Sequence, residues 1–107
     1  MQFAQIVDAY REHLQAARGY SANTVKGYLN DVSDFLDFAA KRGVISVADL
    51  QLGLLRDWLF ELTERNLAMS SVARKSASLR SFTAWMNKQG IIAVDPGLRL
   101  RSPKASK

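Results

Sequence analysis

The sequence predicts an all-α fold: a compact four-helix bundle ending in a short C-terminal turn and a basic linker. Three observations predict it. Apolar residues recur at helical spacing in four separate windows, and no stretch alternates with the period of a strand. The connections between windows are short, as bundles require. At 107 residues, 48% hydrophobic and 23% charged, the chain makes one globular domain with a single modest core.

The first helix is expected from about Phe3 to Ala17, with Phe3, Ile6, Val7, Tyr10 and Leu14 on one stripe and Gly19 as its stop. The second opens with Ser21 as N-cap and runs to about Arg42 before Gly43. Val25, Tyr28, Leu29, Val32, Phe35, Leu36 and Ala39 form its apolar face. A connector follows from Val44 to Gly53, in which Ser46 or Asp49 caps a short turn. The third helix covers about Leu54 to Arg65, burying Leu55, Trp58, Leu59 and Leu62, and Asn66 ends it because Asn tolerates the left-handed conformation. Ser70 then caps a fourth helix that runs to about Lys88 and closes at Gly90, with Val72, Leu79, Phe82 and Met86 as its core. Ile91, Ile92 and Val94 are expected to fold back on the bundle before Asp95-Pro96-Gly97 turns. Phe38, Phe60 and Trp85 fall off the stripes; they either widen the core or form an exposed aromatic patch. The packed domain is placed at 1–98, and RLRSPKASK (99–107) reads as a flexible basic linker.

Composition excludes several chemistries. With no cysteine there is no disulfide framework, thiolate metal site or cysteine nucleophile, and His13 alone cannot build a histidine metal site. No apolar run approaches the ~18 residues of a membrane span. The N-terminus lacks the pattern of a secretory signal, so a cytoplasmic location is expected. No glycine-rich phosphate loop, paired-carboxylate constellation or nucleophile beside His13 is visible. No catalytic residue, cofactor, metal or small-molecule substrate is therefore expected of this chain.

Charge points elsewhere. The net charge of +5 is unevenly spread: residues 1–64 carry six basic and nine acidic side chains, residues 65–107 nine basic ones and Asp95 alone. A basic half of this kind suits a polyanion, nucleic acid before a membrane surface, the plain alternative being a solvated face. On a helical wheel the fourth helix directs Arg74, Ser78 and Ser81 away from the core, and Lys75 flanks the stripe with a stem able to snorkel outward. Ser70, Ser71, Arg74, Lys75 and Ser78 thus occupy its first turns with no acidic residue among them. Small hydroxyls admit a close backbone and bond phosphates, while Arg and Lys reach phosphates or base edges. On the second helix Thr24, Lys26, Gly27 and Asn30 lie off the stripe at the N-terminal end. Asp31, Asp34 and Asp37 follow along the exposed side, so only that end is open to DNA. Gly27 costs about 1 kcal/mol inside a helix relative to alanine. It serves close approach of a phosphate or close helix packing, or is simply a tolerated imperfection.

Two segments together resemble a known family. SANTVKGYLNDVSDFLDF (Ser21 to Phe38) and LAMSSVARKSASLRSFTAWMNKQGIIAVDP (Leu67 to Pro96) are similar, in order and spacing, to the N-terminal core-binding domain of tyrosine recombinases. The first matches an S-x-N-T-hydrophobic-x-x-Y-x-x-D pattern. The second matches S-x-x-R-x-hydrophobic-S-x-L-R-x-F-aromatic with a closing G-x-I-x-x-N-P, except that Asp95 replaces the usual Asn and Lys75 stands where a second Arg is common. The likeness runs first to the Xer type, which resolves chromosome dimers, and next to phage-type integrases. It implies a SAM-like bundle whose second and fourth helices cross in the major groove of a DNA half-site while a separate catalytic domain grips the other face. Carried over by position, the DNA-binding residues are Thr24, Lys26, Gly27, Ser70, Ser71, Arg74, Lys75 and Ser78, with Arg80 a support or phosphate contact. The implied partners are double-stranded DNA and sister recombinase protomers. That family cuts and rejoins DNA with a tyrosine nucleophile aided by arginines and histidines. This chain has no His-x-x-Arg motif and no tyrosine after Tyr28, so it is expected to be one domain of a longer recombinase, with 99–107 leading to the catalytic domain. The competing classes are a helical protein–protein interaction module and a helix-turn-helix-like regulator.

Overall fold

A computed structural model describes residues 2–17 and 19–101. Four helices form, in the order α1 (Phe3–Ala16), α2 (Ala22–Lys41), α3 (Leu52–Glu64) and α4 (Met69–Lys88), with one 3-10 turn, Val47–Asp49, between α2 and α3. Among the described residues no strand forms; the only extended pairing is an isolated bridge of Gln2 with Ser46. The all-α expectation holds.

The local signals act as their chemistry requires. Ser21 Oγ accepts the Thr24 backbone N–H at 3.1 Å and so caps α2. Ser46 Oγ accepts from the Ala48 N–H at 3.3 Å at the head of the 3-10 turn. Asn66 takes a φ of 61° just past α3, and its N–H bonds the Thr63 carbonyl. The expected cap of α4 is corrected. The N-cap is Ala68, whose carbonyl accepts the N–H groups of Ser71 and Val72, and it makes no side-chain cap bond. Ser70 is the second residue of the helix. Leu67 packs against the core just before this start, and that burial, not a capping hydroxyl, fixes where the chain enters α4.

The core lies among all four helices. α2 packs on α1, α3 and α4, and α3 also packs on α4. Ile6, Tyr10, Phe35, Leu55, Trp58, Leu62, Val72, Leu79, Phe82 and Met86 are almost wholly buried. Trp58 meets Phe35 edge-on with ring centres 5.4 Å apart, and Tyr10 meets Phe82 at 5.0 Å, separations that favour aromatic pairs. Of the three off-stripe aromatics, two widen the core. Phe38 is buried under the Arg42 guanidinium, 4.5 Å from its ring centre, and Trp85 packs against Tyr10 and His13. Phe60 is left 66% exposed.

The C-terminal segment departs from expectation at both ends. Ile92 is buried as predicted, but Val94 is exposed. Asp95 Oδ1 accepts the Gly97 N–H at 2.9 Å in the turn that follows, and a Cβ on Gly97 would run into the Thr83 hydroxyl. Beyond the turn, Leu100 is buried in the core and its N–H bonds the Gly97 carbonyl. The packed unit therefore reaches Leu100 and not 98: one apolar side chain between two arginines suffices to anchor the segment. The rest of the expected linker, 102–107, lies outside the described residues.

Burial, aided by charge repulsion from Tyr28 and Tyr20, pushes the Tyr10 phenol far above its ordinary 10.0. The folded chain holds the neutral form, so this contribution to stability is complete below about pH 10 and lost as pH rises further. Melting temperature is expected to fall above about pH 10, and Tyr10→Phe to remove part of that fall. Thermal melts across an alkaline series check this.

Candidate nucleic-acid interface

The seam between α2 and α4 is built around one carboxylate. Asp31 is only 3% exposed. Its Oδ1 accepts from Arg74 Nη2 at 3.2 Å and from Lys75 Nζ at 3.1 Å, and its Oδ2 accepts from Ser78 Oγ at 2.7 Å. Lys75 Nζ also lies 3.6 Å from Asp34 Oδ2, which in turn faces Arg65 Nη1 at 3.6 Å. Arg65 closes the chain on Glu61 at 2.7 Å. A buried carboxylate is tolerable only when it is paired and hydrogen-bonded, and here three donors from a single helix, two of them cationic, do this.

Above this carboxylate lies a cleft of about 390 Å³ lined by Asn23, Thr24, Gly27 and Tyr28 of α2, by Arg74, Ala77 and Ser78 of α4, and by Asp31. A Cβ on Gly27 would meet nothing within 4 Å. Gly27 therefore serves no close helix packing, and its bare backbone faces the open cleft. The Thr24 hydroxyl lies 2.9 Å from Ser21 Oγ at the rim. Arg74 keeps 58% of its side chain exposed, so one edge of its guanidinium is held by Asp31 and the other faces outward.

The structure brings Thr24, Gly27, Arg74 and Ser78 to one cleft, but it corrects three readings. Ser78 does not point away from the core; it is buried and its proton is committed to Asp31. Lys75 does not snorkel outward; its ammonium is drawn inward between two carboxylates and its side chain is only 16% exposed. Asp31 does not lie along the exposed side. The reason is common to Asp31 and Ser78. Asp31 stands three residues after Tyr28 and four before Phe35, and Ser78 four before Phe82, so each sits at the edge of an apolar stripe. That spacing was the available signal. Lys26 is exposed but lines a different depression, on the α1 side, with Arg11 and Gln15. Ser70 and Ser71 stand in the first turn of α4, outside the cleft lining.

The family model described as "Phage integrase, N-terminal SAM-like domain" matches residues 7–90. The chain belongs to this family. As an integrase SAM-like domain it is similar to the tyrosine recombinase XerC of Mycobacterium tuberculosis, 37% identical over 100 residues that cover 94% of this chain and 33% of that protein. XerC of Bifidobacterium longum subsp. infantis is 37% identical over 102 residues, covering 95% of this chain and 28% of the relative. The chain thus spans about a third of the length of these relatives. Among solved structures, the N-terminal domain of a phage integrase/site-specific recombinase from Haloarcula marismortui superposes with a TM-score of 0.86 at 13% identity, covering 96% of this chain and 97% of that one. A lambda integrase dimer bound to a COC′ core site gives 0.76 at 17% identity, covering all of this chain and 36% of the other. Both share the fold of this SAM-like domain. No group of three or more metal-ligating side chains is found among the described residues, and no described helix is long and apolar enough to cross a membrane.

Proposed function

We propose that this SAM-like domain grips one DNA half-site for a site-specific tyrosine recombinase, with the N-terminal turns of α2 and α4 entering the major groove. The observation that carries this reading is the cleft. Gly27 leaves its floor open on one side, Arg74 presents a half-free guanidinium on the other, and the one carboxylate between them is already neutralised from within. Thr24, Ser70 and Ser71 add hydroxyls at the rim and one turn beyond it, where phosphate oxygens are bound. Lys26 contributes long-range attraction from the flank. Lys75 and Ser78 support the interface by holding Asp31. The cutting and rejoining of DNA belongs to the remainder of a longer recombinase, and sister protomers on the same DNA are its partners. The XerC likeness supports chromosome-dimer resolution, and hence a cytoplasmic role in chromosome partition, over phage integration. A protein-contact role draws on exposed apolar side chains, Phe60 of α3 together with Ile45, Val94 and Leu98, and fits beside the DNA role as a protomer contact.

The test is titration of a labelled random-sequence duplex at several salt concentrations. With about four to six phosphate contacts the log–log slope is expected near −4 to −5, with micromolar affinity. Arg74→Ala leaves Asp31 with two donors and the fold intact. It is expected to weaken binding about tenfold and flatten the slope by about 1. Absence of duplex binding at low salt, even at tens of micromolar protein, overturns the reading.

A further inference from the structure

We infer that the domain carries a second anion site, apart from the α2–α4 cleft, which holds backbone phosphates of DNA beyond the stretch gripped there. This inference rests on the duplex-binding reading above. A cavity of about 630 Å³ opens where α3, α4 and the C-terminal segment meet, lined by Arg56, Arg80, Leu98, Arg99, Leu100 and Arg101. Four of its six lining residues are arginines and none is acidic. Among the described residues none of these four makes a salt bridge, whereas Arg11, Arg42, Arg65, Arg74 and Lys75 all do. Unpaired like charges gathered in one concavity repel one another, and a bound anion relieves that repulsion.

The cluster is held in place before any ligand arrives. Arg80 Nη1 donates to Ser76 Oγ at 3.0 Å and to the Leu100 carbonyl at 3.4 Å, and Ser76 is fully buried. Leu100 is anchored in the core, so Arg99 and Arg101 flank a fixed point and both remain exposed. Arg56 comes from the exposed side of α3, next to the buried Leu55. Guanidinium forks match the paired oxygens of a phosphate.

Geometry says which phosphates these are. Arg80 lies six residues after Arg74 on α4, about 120° around the helix and about 9 Å along it. A straight stretch of duplex seated on the cleft does not face the arginines. They take backbone to its side, where a longer DNA curves around the domain.

The variant for the test is Arg56→Gln/Arg99→Gln, which spares the Arg80 contacts and the Leu100 anchor. Two probes are used: inorganic pyrophosphate, followed by NMR shifts of residues 97–101, and duplexes of about 10 and about 30 base pairs. Pyrophosphate is expected to shift those residues in the wild type and not in the variant. The variant is expected to lose roughly 10- to 100-fold in affinity for the long duplex, with a salt slope flatter by about 2, while binding the short duplex as the wild type does. If pyrophosphate binds but long-duplex affinity is unchanged, the site takes small phosphates only and the DNA assignment is overturned. If pyrophosphate shifts nothing, the anion site itself is overturned. Failure of the duplex-binding reading shows separately, as wild-type protein that binds neither duplex; the DNA assignment then falls with it.

Discussion

Asp31→Ala is expected to lower the stability of the domain by about 3 kcal/mol, the range seen when one partner of a buried ion pair is removed. The loss has two parts. Lys75, with only 16% of its side chain exposed, is left with Asp34 alone at 3.6 Å, and the buried Ser78 hydroxyl loses its only acceptor among the described hydrogen bonds. Arg74 contributes little to the cost, because 58% of its side chain is already in solvent. For a domain of this size the midpoint of a thermal melt falls by about 12–24 °C. Urea denaturation of wild type and variant measures the difference directly, and a loss below about 1 kcal/mol would remove Asp31 from the centre of the seam.

Replacing the whole group is expected to be milder than breaking it. Asp31→Leu combined with Lys75→Met and Ser78→Ala leaves no charge or hydroxyl stranded, so most of the stability lost in Asp31→Ala is expected to return. It follows that Lys75→Ala is a poor probe of DNA contact: any fall in binding reports a disturbed seam. Arg74, which is exposed and dispensable to the fold, is the informative position.

Most of the architecture was legible in the sequence because burial of apolar side chains at helical spacing decides it. Every residue assigned to the stripes of the third and fourth helices is buried, and the cap at Ser21 and the stop at Asn66 follow from local backbone chemistry. What was not legible involves side chains whose direction depends on a partner far along the chain. A wheel assigns Asp31 and Ser78 to solvent by residue type, but they face each other across 47 positions. Each satisfies the other, and that pairing is invisible to periodicity within one helix. Lys75 follows the same logic, drawn in by a carboxylate that sequence reasoning had placed outside. Leu100 was hidden for the opposite reason: a lone apolar residue between two arginines has no period, and only the completed bundle offers it a site. Gly27 admits more than one explanation inside a helix, and the open space above it removes only close helix packing from them.

Gly27→Glu is expected to separate folding from DNA binding more sharply than any other single change. Inside α2, exchanging glycine for a good helix former stabilises by up to about 1 kcal/mol. A Cβ there meets no neighbour within 4 Å, so no clash offsets the gain. Asp31, four residues on, is already paired with Arg74 and Lys75, which limits its repulsion of the new carboxylate. The variant should therefore melt at or slightly above the wild-type temperature. Its carboxylate, however, projects into the cleft where a phosphate is expected. Like charges juxtaposed at an interface cost several kcal/mol, so duplex affinity is expected to fall at least about 100-fold. Gly27→Ala, which adds bulk without charge, should gain the same helix stability and lose far less affinity. A stable Gly27→Glu protein that binds duplex like the wild type would place the backbone elsewhere, leaving α4 and not the α2–α4 cleft as the side that meets DNA.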